Sequence, residues 1–183
     1  LLLGIMLMMV GNGMQATLIG LRGAIEGFST ASLSVVAEGY FIGFLSGARL
    51  APRLIRRVGH VRVFAALGSG MSAAVLGFPL VTDPWAWTLL RIALGFCMSG
   101  VYVTAESWLN NAASNETRGK TLSAYMLATT LGLVAAQALL TLGDPAVAQL
   151  FVVASIFVSL SLAPILLSAV PMPAAEITKP MGL

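Results

Sequence analysis

The stretch GARLAPRLIRRVGHVR, residues 47–62, carries five arginines and one histidine between two apolar runs. Charge is scarce elsewhere, because only 9% of the 183 residues are charged and 58% are hydrophobic. The mean hydropathy is +0.93. A soluble domain carries about a quarter charged residues, so this chain has too few charges to cover a water-exposed surface. The composition therefore predicts an all-α integral membrane protein, in which a short basic loop joins two spanning helices.

Six apolar segments come close to the roughly 20 residues that a helix needs to cross a hydrocarbon core. Ser29 or Thr30 can cap the second segment, and Asp-Pro pairs at Asp83 and Asp144 predict the starts of the fourth and sixth. Residues 1–170 are predicted to form the helical bundle. The proline-rich segment 171–183 is predicted to be a cytoplasmic linker or tail. The spans are predicted at residues 1–21, 31–54, 61–81, 84–110, 121–142 and 146–170.

The basic residues predict how the chain is oriented, because short cytoplasmic loops are enriched in Lys and Arg. The loop between the second and third spans and its flanks hold the five arginines, and the loop between the fourth and fifth adds Arg118 and Lys120. The loops at the other end carry a single basic residue, Arg22. We therefore expect the two basic loops and both chain ends to be cytoplasmic.

Small residues at intervals of four give two of the predicted helices a smooth face. Such a face lets helix backbones approach closely in lipid. Two interpretations remain open, since the faces could serve only for packing or could slide against a partner helix. The faces consist of Gly39, Gly43, Gly47 and Ala51 in the second helix, and of Ala128, Gly132 and Ala136 in the fifth.

Two charged residues fall inside predicted spans, where a charge costs roughly 2.5–3.5 kcal/mol on insertion scales. Glu38 and Arg91 each lie about seven residues into a span that starts from the outer surface, so we expect them at similar depth. They could form a structural ion pair that offsets two desolvation costs. Alternatively, Arg91 faces a central cavity and Glu38 titrates during a transport cycle.

Polar side chains also follow one face of the first and fourth spans. Side chains spaced by three or four residues share a helix face, and a polar face beside glycines suits a water-lined cavity wall. Gln137 is a lone amide in the fifth span. We expect the first and fourth spans to line a pathway. The stripes consist of Asn12, Gln15, Ile19 and Arg22 in the first span, and of Arg91, Gly95, Met98, Tyr102 and Glu106 in the fourth.

Several kinds of chemistry lack the residues that they need. The chain has one histidine, His60, and one cysteine, Cys97, so no metal-ligand cluster or hydrolytic triad can be assembled. The sequence contains no nucleotide-binding loop, and its basic residues are interrupted by apolar spans, which argues against nucleic acid as a partner. We expect neither a cofactor nor a metal, and no enzymatic activity.

The basic stretch resembles the signature of the major facilitator superfamily. That family marks the loop between its second and third helices with glycines and basic residues around an acidic residue, where this sequence has Pro52. Asn115–Gly119 resembles a related motif in the next basic loop, and Arg91 followed by Gly95 and Gly100 resembles the family's arginine-glycine motif. The matching residues of the first signature are Gly47, Arg49, Arg53, Arg56, Arg57, Gly59, His60 and Arg62.

The resemblance covers the whole chain but only half of a usual member, which has twelve helices in two halves, each built from two inverted three-helix repeats. It implies a secondary transporter of a small solute in the inner membrane that works by alternating access, with proton coupling left open and with this chain as the N-terminal half. Residues 129–140 lack the family's proline-containing antiporter motif. That absence disfavours proton–drug antiport and leaves proton coupling open.

In the family, the basic loop closes the cytoplasmic side by interacting with acidic groups at helix ends. The resemblance therefore implies a latch, in which we expect Glu106 to pair with Arg49 or Arg53, with Arg118 and Glu116 nearby. The bilayer, a small solute and a second six-helix half would then be the partners. The alternative is a non-transporting subunit or scaffold packed against a larger membrane complex, and a membrane-embedded enzyme has only Glu38 and Arg91 in its favour.

Overall fold

A computed structural model describes residues 1–167, and every regular element in that range is helical. A 3₁₀ turn at Phe78–Leu80 extends the third helix, and a four-residue helix, α7 (Ala163–Leu166), follows the sixth. Six helices are long and apolar enough to span a membrane, with the sixth counted through Leu166. This confirms the predicted all-α bundle of six spans. The long helices are α1 (Leu2–Ile25), α2 (Thr30–Val58), α3 (His60–Gly77), α4 (Pro84–Ala112), α5 (Arg118–Leu140) and α6 (Gln149–Leu160).

The starts of α2 and α4 follow the predicted capping chemistry. The Ser29 hydroxyl accepts the backbone N–H of Ser32 at 3.1 Å, and the Asp83 carboxylate accepts that of Ala86 at 2.8 Å. Pro84 occupies the first turn of α4, where its missing N–H removes no hydrogen bond. The predicted tail at residues 171–183 and the predicted end of the sixth span near residue 170 lie outside the described residues.

The sixth helix starts later than predicted. The Asp144 carboxylate accepts the N–H of Ala146, only two residues ahead, at 2.8 Å. That bond closes a local Asx turn rather than capping a helix, and α6 begins at Gln149 after Ala148. The same Asp-Pro pair therefore caps a helix at residue 83 but forms a turn at residue 144. The sequence prediction that Asp144 starts the sixth helix was wrong.

The packing of the helices repeats itself within the chain. The most extensive contact joins α2 to α4, and the next joins α1 to α5. After these come α3 with α4, α1 with α6, and α3 with α6. Exchanging α1 with α4, α2 with α5 and α3 with α6 maps each of these pairs onto another, or onto itself. Since α1 and α4 start at opposite ends of the bundle, this is the arrangement of two inverted three-helix repeats.

The small-residue face of α2 sets how closely α2 approaches α4. Gly39, Gly43 and Gly47 lie against Thr88, Ile92 and Phe96, so each contact joins residues 49 positions apart. A constant offset means that the two helices run parallel. Added Cβ atoms at Gly43 and Gly47 would collide with the carbonyl oxygens of Ile92 and Phe96. The predicted role of this face in packing is confirmed.

The second small-residue face brings α5 against α1 in the same way. A Cβ at Gly132 would lie 2.5 Å from the Met6 carbonyl oxygen and 2.6 Å from Met9 Cβ. A Cβ at Gly13 would lie 2.7 Å from Ala136 Cβ. Contacts this close require glycine at positions 13 and 132, so glycines set the close packing of both pairs, α2 with α4 and α1 with α5.

The turn between α2 and α3 depends on a glycine of the basic stretch. Gly59 has φ +86° and ψ 163°, a backbone conformation that residues with a Cβ rarely adopt. Its N–H still bonds the Ile55 carbonyl at 2.8 Å, which ends α2, and α3 begins at the next residue. Gly59 therefore allows α2 and α3 to follow each other with a one-residue connection, and this fixes where the flanking arginines sit.

Candidate functional site

Arg91 lies on the face of α4 that packs against α2 and is half-buried there. Its guanidinium carbon sits 4.8 Å from the centre of the Tyr40 ring, a cation–π contact with α2. Its Nε and Nη1 atoms are buried and have no hydrogen-bond partner within residues 1–167. A charged side chain is thus held well inside the bundle by an aromatic face rather than by an opposite charge.

The expected ion pair between Glu38 and Arg91 is not formed. In the described part of the chain the one salt bridge is between Arg22 and Glu26, at 2.5 Å. The α2–α4 offset sets Glu38 level with Trp87, one helical turn away from Arg91. Successive residues of a helix also point about 100° apart, so Glu38 faces away when its neighbour Gly39 contacts α4. Glu38 is exposed on the surface of the bundle.

Arg91 lines a pocket of about 330 Å³ between α1, α2 and α4. Ala16, Ile19 and Gly20 of α1 form one wall, and residues of α2 from Thr30 to Ala37 form the other. The walls are mainly apolar, with hydroxyl groups from Thr30 and Ser34. Of the two stripes that the sequence predicted to line a pathway, Ile19 of α1 and Arg91 of α4 line this pocket.

The polar residues of α1 largely bond to each other. The Gln15 amide donates to Asn12 Oδ1 at 3.1 Å, while Gln15 Oε1 is buried without a partner in residues 1–167. Ile19, on the same stripe, lines the Arg91 pocket. Arg22 ends the stripe in its salt bridge with Glu26. Of the predicted α1 stripe, only Ile19 lines the Arg91 pocket, and Arg22 is paired with Glu26 at the end of α1.

The side chains of Tyr102 and Gln137 form hydrogen bonds between helices. The Tyr102 hydroxyl of α4 donates to the Met9 sulfur of α1 at 3.4 Å. The Gln137 amide of α5 donates to the Thr17 hydroxyl of α1 at 3.3 Å, on an exposed surface. The Tyr102 bond joins the two predicted cavity helices, whereas the Gln137 bond joins α5 to α1. Gln137 lies at the surface rather than deep in the bundle.

The arginines of the basic stretch lie at the surface. Arg49, Arg53, Arg56, Arg57 and Arg62 are all exposed, and none is in a salt bridge with a described acid.

Their neighbour His60 is buried instead, because it begins α3 rather than lying in a loop. Its Nε2 is hydrogen-bonded to the Ser107 hydroxyl of α4 at 3.0 Å, and its ring lies 6.2 Å from that of Trp108. His60 thus anchors the basic stretch to α4.

Glu106 does not pair with Arg49 or Arg53 in this structure. Its carboxylate accepts the Tyr125 hydroxyl of α5 at 3.3 Å, so it is directed toward α5 rather than α2. Glu106, Arg118 and Tyr125 line one pocket of about 160 Å³ at this end of the bundle. Glu106 and Arg118 thus border the same pocket but form no salt bridge. Glu116 is exposed in the connection between α4 and α5.

The sequence did not reveal the uncharged partners of these residues. Arg91 contacts the ring of Tyr40. Glu106 accepts a hydrogen bond from Tyr125, and His60 is hydrogen-bonded to Ser107. None of these three partners belongs to a polar stripe. Tyr40 directly follows Gly39, so its position beside the small-residue face was the sequence signal that could have identified it.

The sequence analysis also missed a cluster of hydroxyl groups between α3 and α6. Ser72 Oγ lies 2.7 Å from Ser155 Oγ and 2.9 Å from Ser159 Oγ.

Comparisons with known proteins agree with this architecture. The chain is 30% identical over 141 residues to an uncharacterized MFS-type transporter of Enterobacter sp. strain 638, and equally to the uncharacterized MFS-type transporter YcaD of Escherichia coli. Each match covers 77% of this chain and 37% of the relative, so the matched segment spans well under half the length of these relatives. No solved structure matches it. The sequence profile of the Major Facilitator Superfamily matches residues 1–181, and the chain therefore belongs to that superfamily of membrane transporters.

Proposed function

We propose that the chain forms one half of a secondary active transporter that moves a small solute by alternating access. The supporting observation is where the polar residues lie. The spans α1 and α4 are the most buried of the six, at 61% and 56%, and they carry Asn12, Gln15, Arg91 and Tyr102. Polar groups on central helices are costly in a bundle that only anchors a complex, whereas they suit a helix that lines a water-filled cavity.

The outer helices supply the surface for a second half. Only 22% of the α2 and α5 spans is buried within this bundle. Phe41, Ile42 and Leu45 of α2 and Met126, Leu127 and Leu131 of α5 are exposed. In our proposal a second six-helix bundle covers the side shared by α1, α2, α4 and α5, and the solute binds between the halves. The transporter names of the relatives favour this function over the scaffold alternative.

We further propose that the protein lies in the inner membrane with its basic end in the cytoplasm. The arginines at the α2–α3 connection are all exposed, as expected for side chains that hold a loop in water. Alkaline phosphatase, which is active only outside the cytoplasm, is expected to be inactive when fused at Gly59 and active when fused at Thr82. The reverse pattern would invert the orientation of the whole bundle.

The exposed arginines also support a conformational latch at the cytoplasmic end. Their guanidinium groups have no acidic partner within residues 1–167. In our proposal Arg49 and Arg53 pair with acidic groups when the cytoplasmic end is closed and separate when it opens. Glu106, now bound by Tyr125, is one such group, and the second half would supply others. A cluster of this kind forms a two-state element.

Solute accumulation by vesicles tests the transport function, and its dependence on pH tests proton coupling through Glu38. Vesicles that contain the complete protein are expected to accumulate at least one solute of a defined mixture, measured by mass spectrometry against empty vesicles. If the Glu38 carboxylate carries the proton, Glu38→Gln removes the dependence of accumulation on external pH, because an amide cannot titrate.

Glu26→Gln is the matched control, since it makes the same chemical change at the end of α1. It should keep the pH dependence. An unchanged pH profile in Glu38→Gln excludes Glu38 as the coupling acid. Vesicles that accumulate no solute above the empty ones contradict the transport function itself.

A further inference from the structure

The charge of Arg91 is left without an opposite charge by the bundle. The acidic side chain nearest to it along α2, Glu38, sits one turn away and is exposed. Within residues 1–167 the sole salt bridge is formed elsewhere, by Arg22 and Glu26. The Tyr40 ring covers one face of the guanidinium, and a neutral ring compensates only part of the cost of a buried charge.

The unpartnered atoms of Arg91 are those that bind oxyanions. A guanidinium binds a carboxylate or phosphate through two adjacent nitrogens, along either its Nε–Nη2 edge or its Nη1–Nη2 edge. Nε and Nη1 are both buried without a hydrogen-bond partner in the described chain, so each edge contains one unused buried nitrogen. Unsatisfied buried donors of this kind are rare in native structures, and each calls for an explanation such as a bound ligand.

The pocket beside Arg91 has room for a small organic anion. Its volume of about 330 Å³ falls at the lower end of the range for ligand sites. The other side chains lining it, such as Ile19, Leu33 and Val36, are apolar or carry a hydroxyl, and none is acidic or basic. Arg91 is therefore the only charged group among the lining residues, and the pocket combines one cationic anchor with an apolar wall.

We propose that Arg91 binds the anionic group of the transported solute, which is a small carboxylate or phosphate with an apolar body. This deepens the proposed transport function and rests on it. Contact with the Tyr40 ring restrains the guanidinium beside the pocket that Arg91 lines. The anion completes the hydrogen bonds that the bundle leaves open.

Thermal unfolding of the complete protein in detergent tests the proposal with defined probes. The probes are propionate, benzoate and inorganic phosphate, with propionamide and benzamide as neutral matches of the two carboxylates. At least one anion is expected to raise the melting temperature of the wild type, and its amide is not. Arg91→Gln should weaken the apparent affinity by about 10- to 100-fold, the range for a lost charged hydrogen-bond pair.

Two further variants make the result specific. Arg91→Lys keeps the charge but not the two-edged geometry, and is expected to bind the anion more weakly than the wild type and more tightly than Arg91→Gln. It also serves as the test if Arg91→Gln does not fold. Arg22→Gln removes one positive charge from the end of α1, outside the pocket, and should bind as the wild type does.

Three outcomes would overturn the proposal. One is that no probe anion stabilises the wild type. Another is that an anion stabilises Arg91→Gln as strongly as it stabilises the wild type. The third is that vesicles accumulate a neutral solute independently of Arg91, which would refute the anion site and leave the transport function standing.

Discussion

Replacing Gly95 by leucine is expected to prevent the folded protein from accumulating in the membrane. A Cβ at this position alone would collide with the carbonyl oxygen of Tyr40 and lie 2.9 Å from the backbone nitrogen of Phe44. These are backbone atoms of α2, so they can move away only if the two helices separate. Overpacking a core usually costs about 1–3 kcal/mol, and separating the most extensive helix contact of the bundle adds to that cost.

The measurement is the yield of monodisperse protein after detergent extraction, followed by size-exclusion chromatography. Gly20→Leu is the matched control, because Gly20 also lies within a spanning helix and a Cβ there meets nothing within 4 Å. The control should be recovered at the wild-type level. Equal recovery of Gly95→Leu and Gly20→Leu would contradict the close parallel packing of α2 and α4.

The sequence was sufficient to predict the fold because its signals act locally. Hydrophobic segments of spanning length predict six helices, and glycines at intervals of four predict which face of α2 is contacted. The Asp83 cap depends only on the next few residues. The late start of α6 shows where this reasoning fails, since an Asp-Pro pair can close an Asx turn as readily as it caps a helix.

The partners in the candidate site were harder to predict because they depend on helix register. Glu38 and Arg91 lie equally far along their spans, but an offset of one turn and a difference in facing direction keep them apart. In the same way, Glu106 bonds Tyr125 of α5 rather than an arginine of α2. Opposite charges can be recognised in a sequence, whereas the neutral aromatic residue that replaces an ion pair cannot.

The second large expected effect concerns a cysteine in the Arg91 pocket. Ala16 is exposed, belongs to α1 and lines the pocket. In a cysteine-free background of the complete protein, which includes Cys97→Ala, Ala16→Cys should react with a membrane-impermeant thiol reagent added to either side of the membrane. A cavity that opens alternately exposes the same residue to both aqueous phases, although not at the same time. Arg53→Gln, which weakens the proposed latch, should increase labelling from the cytoplasmic side.

Ala73→Cys is the matched control, since Ala73 is also an exposed alanine within a span. It lies on α3, which packs against α4 and α6 rather than beside the pocket, so we expect it to face lipid and to react from neither side. Right-side-out and inside-out vesicles give access to the two sides, and a pH-sensitive dye enclosed in the vesicles reports whether the membrane stays sealed to protons.

The most direct test of alternating access is therefore the labelling of Ala16→Cys from each side of a sealed membrane. We predict labelling from both sides without a proton leak, and no labelling of Ala73→Cys. Labelling of Ala16→Cys from neither side would contradict the transport cavity and support a scaffold. Labelling from both sides together with a continuous leak would indicate an open channel and would contradict alternating access.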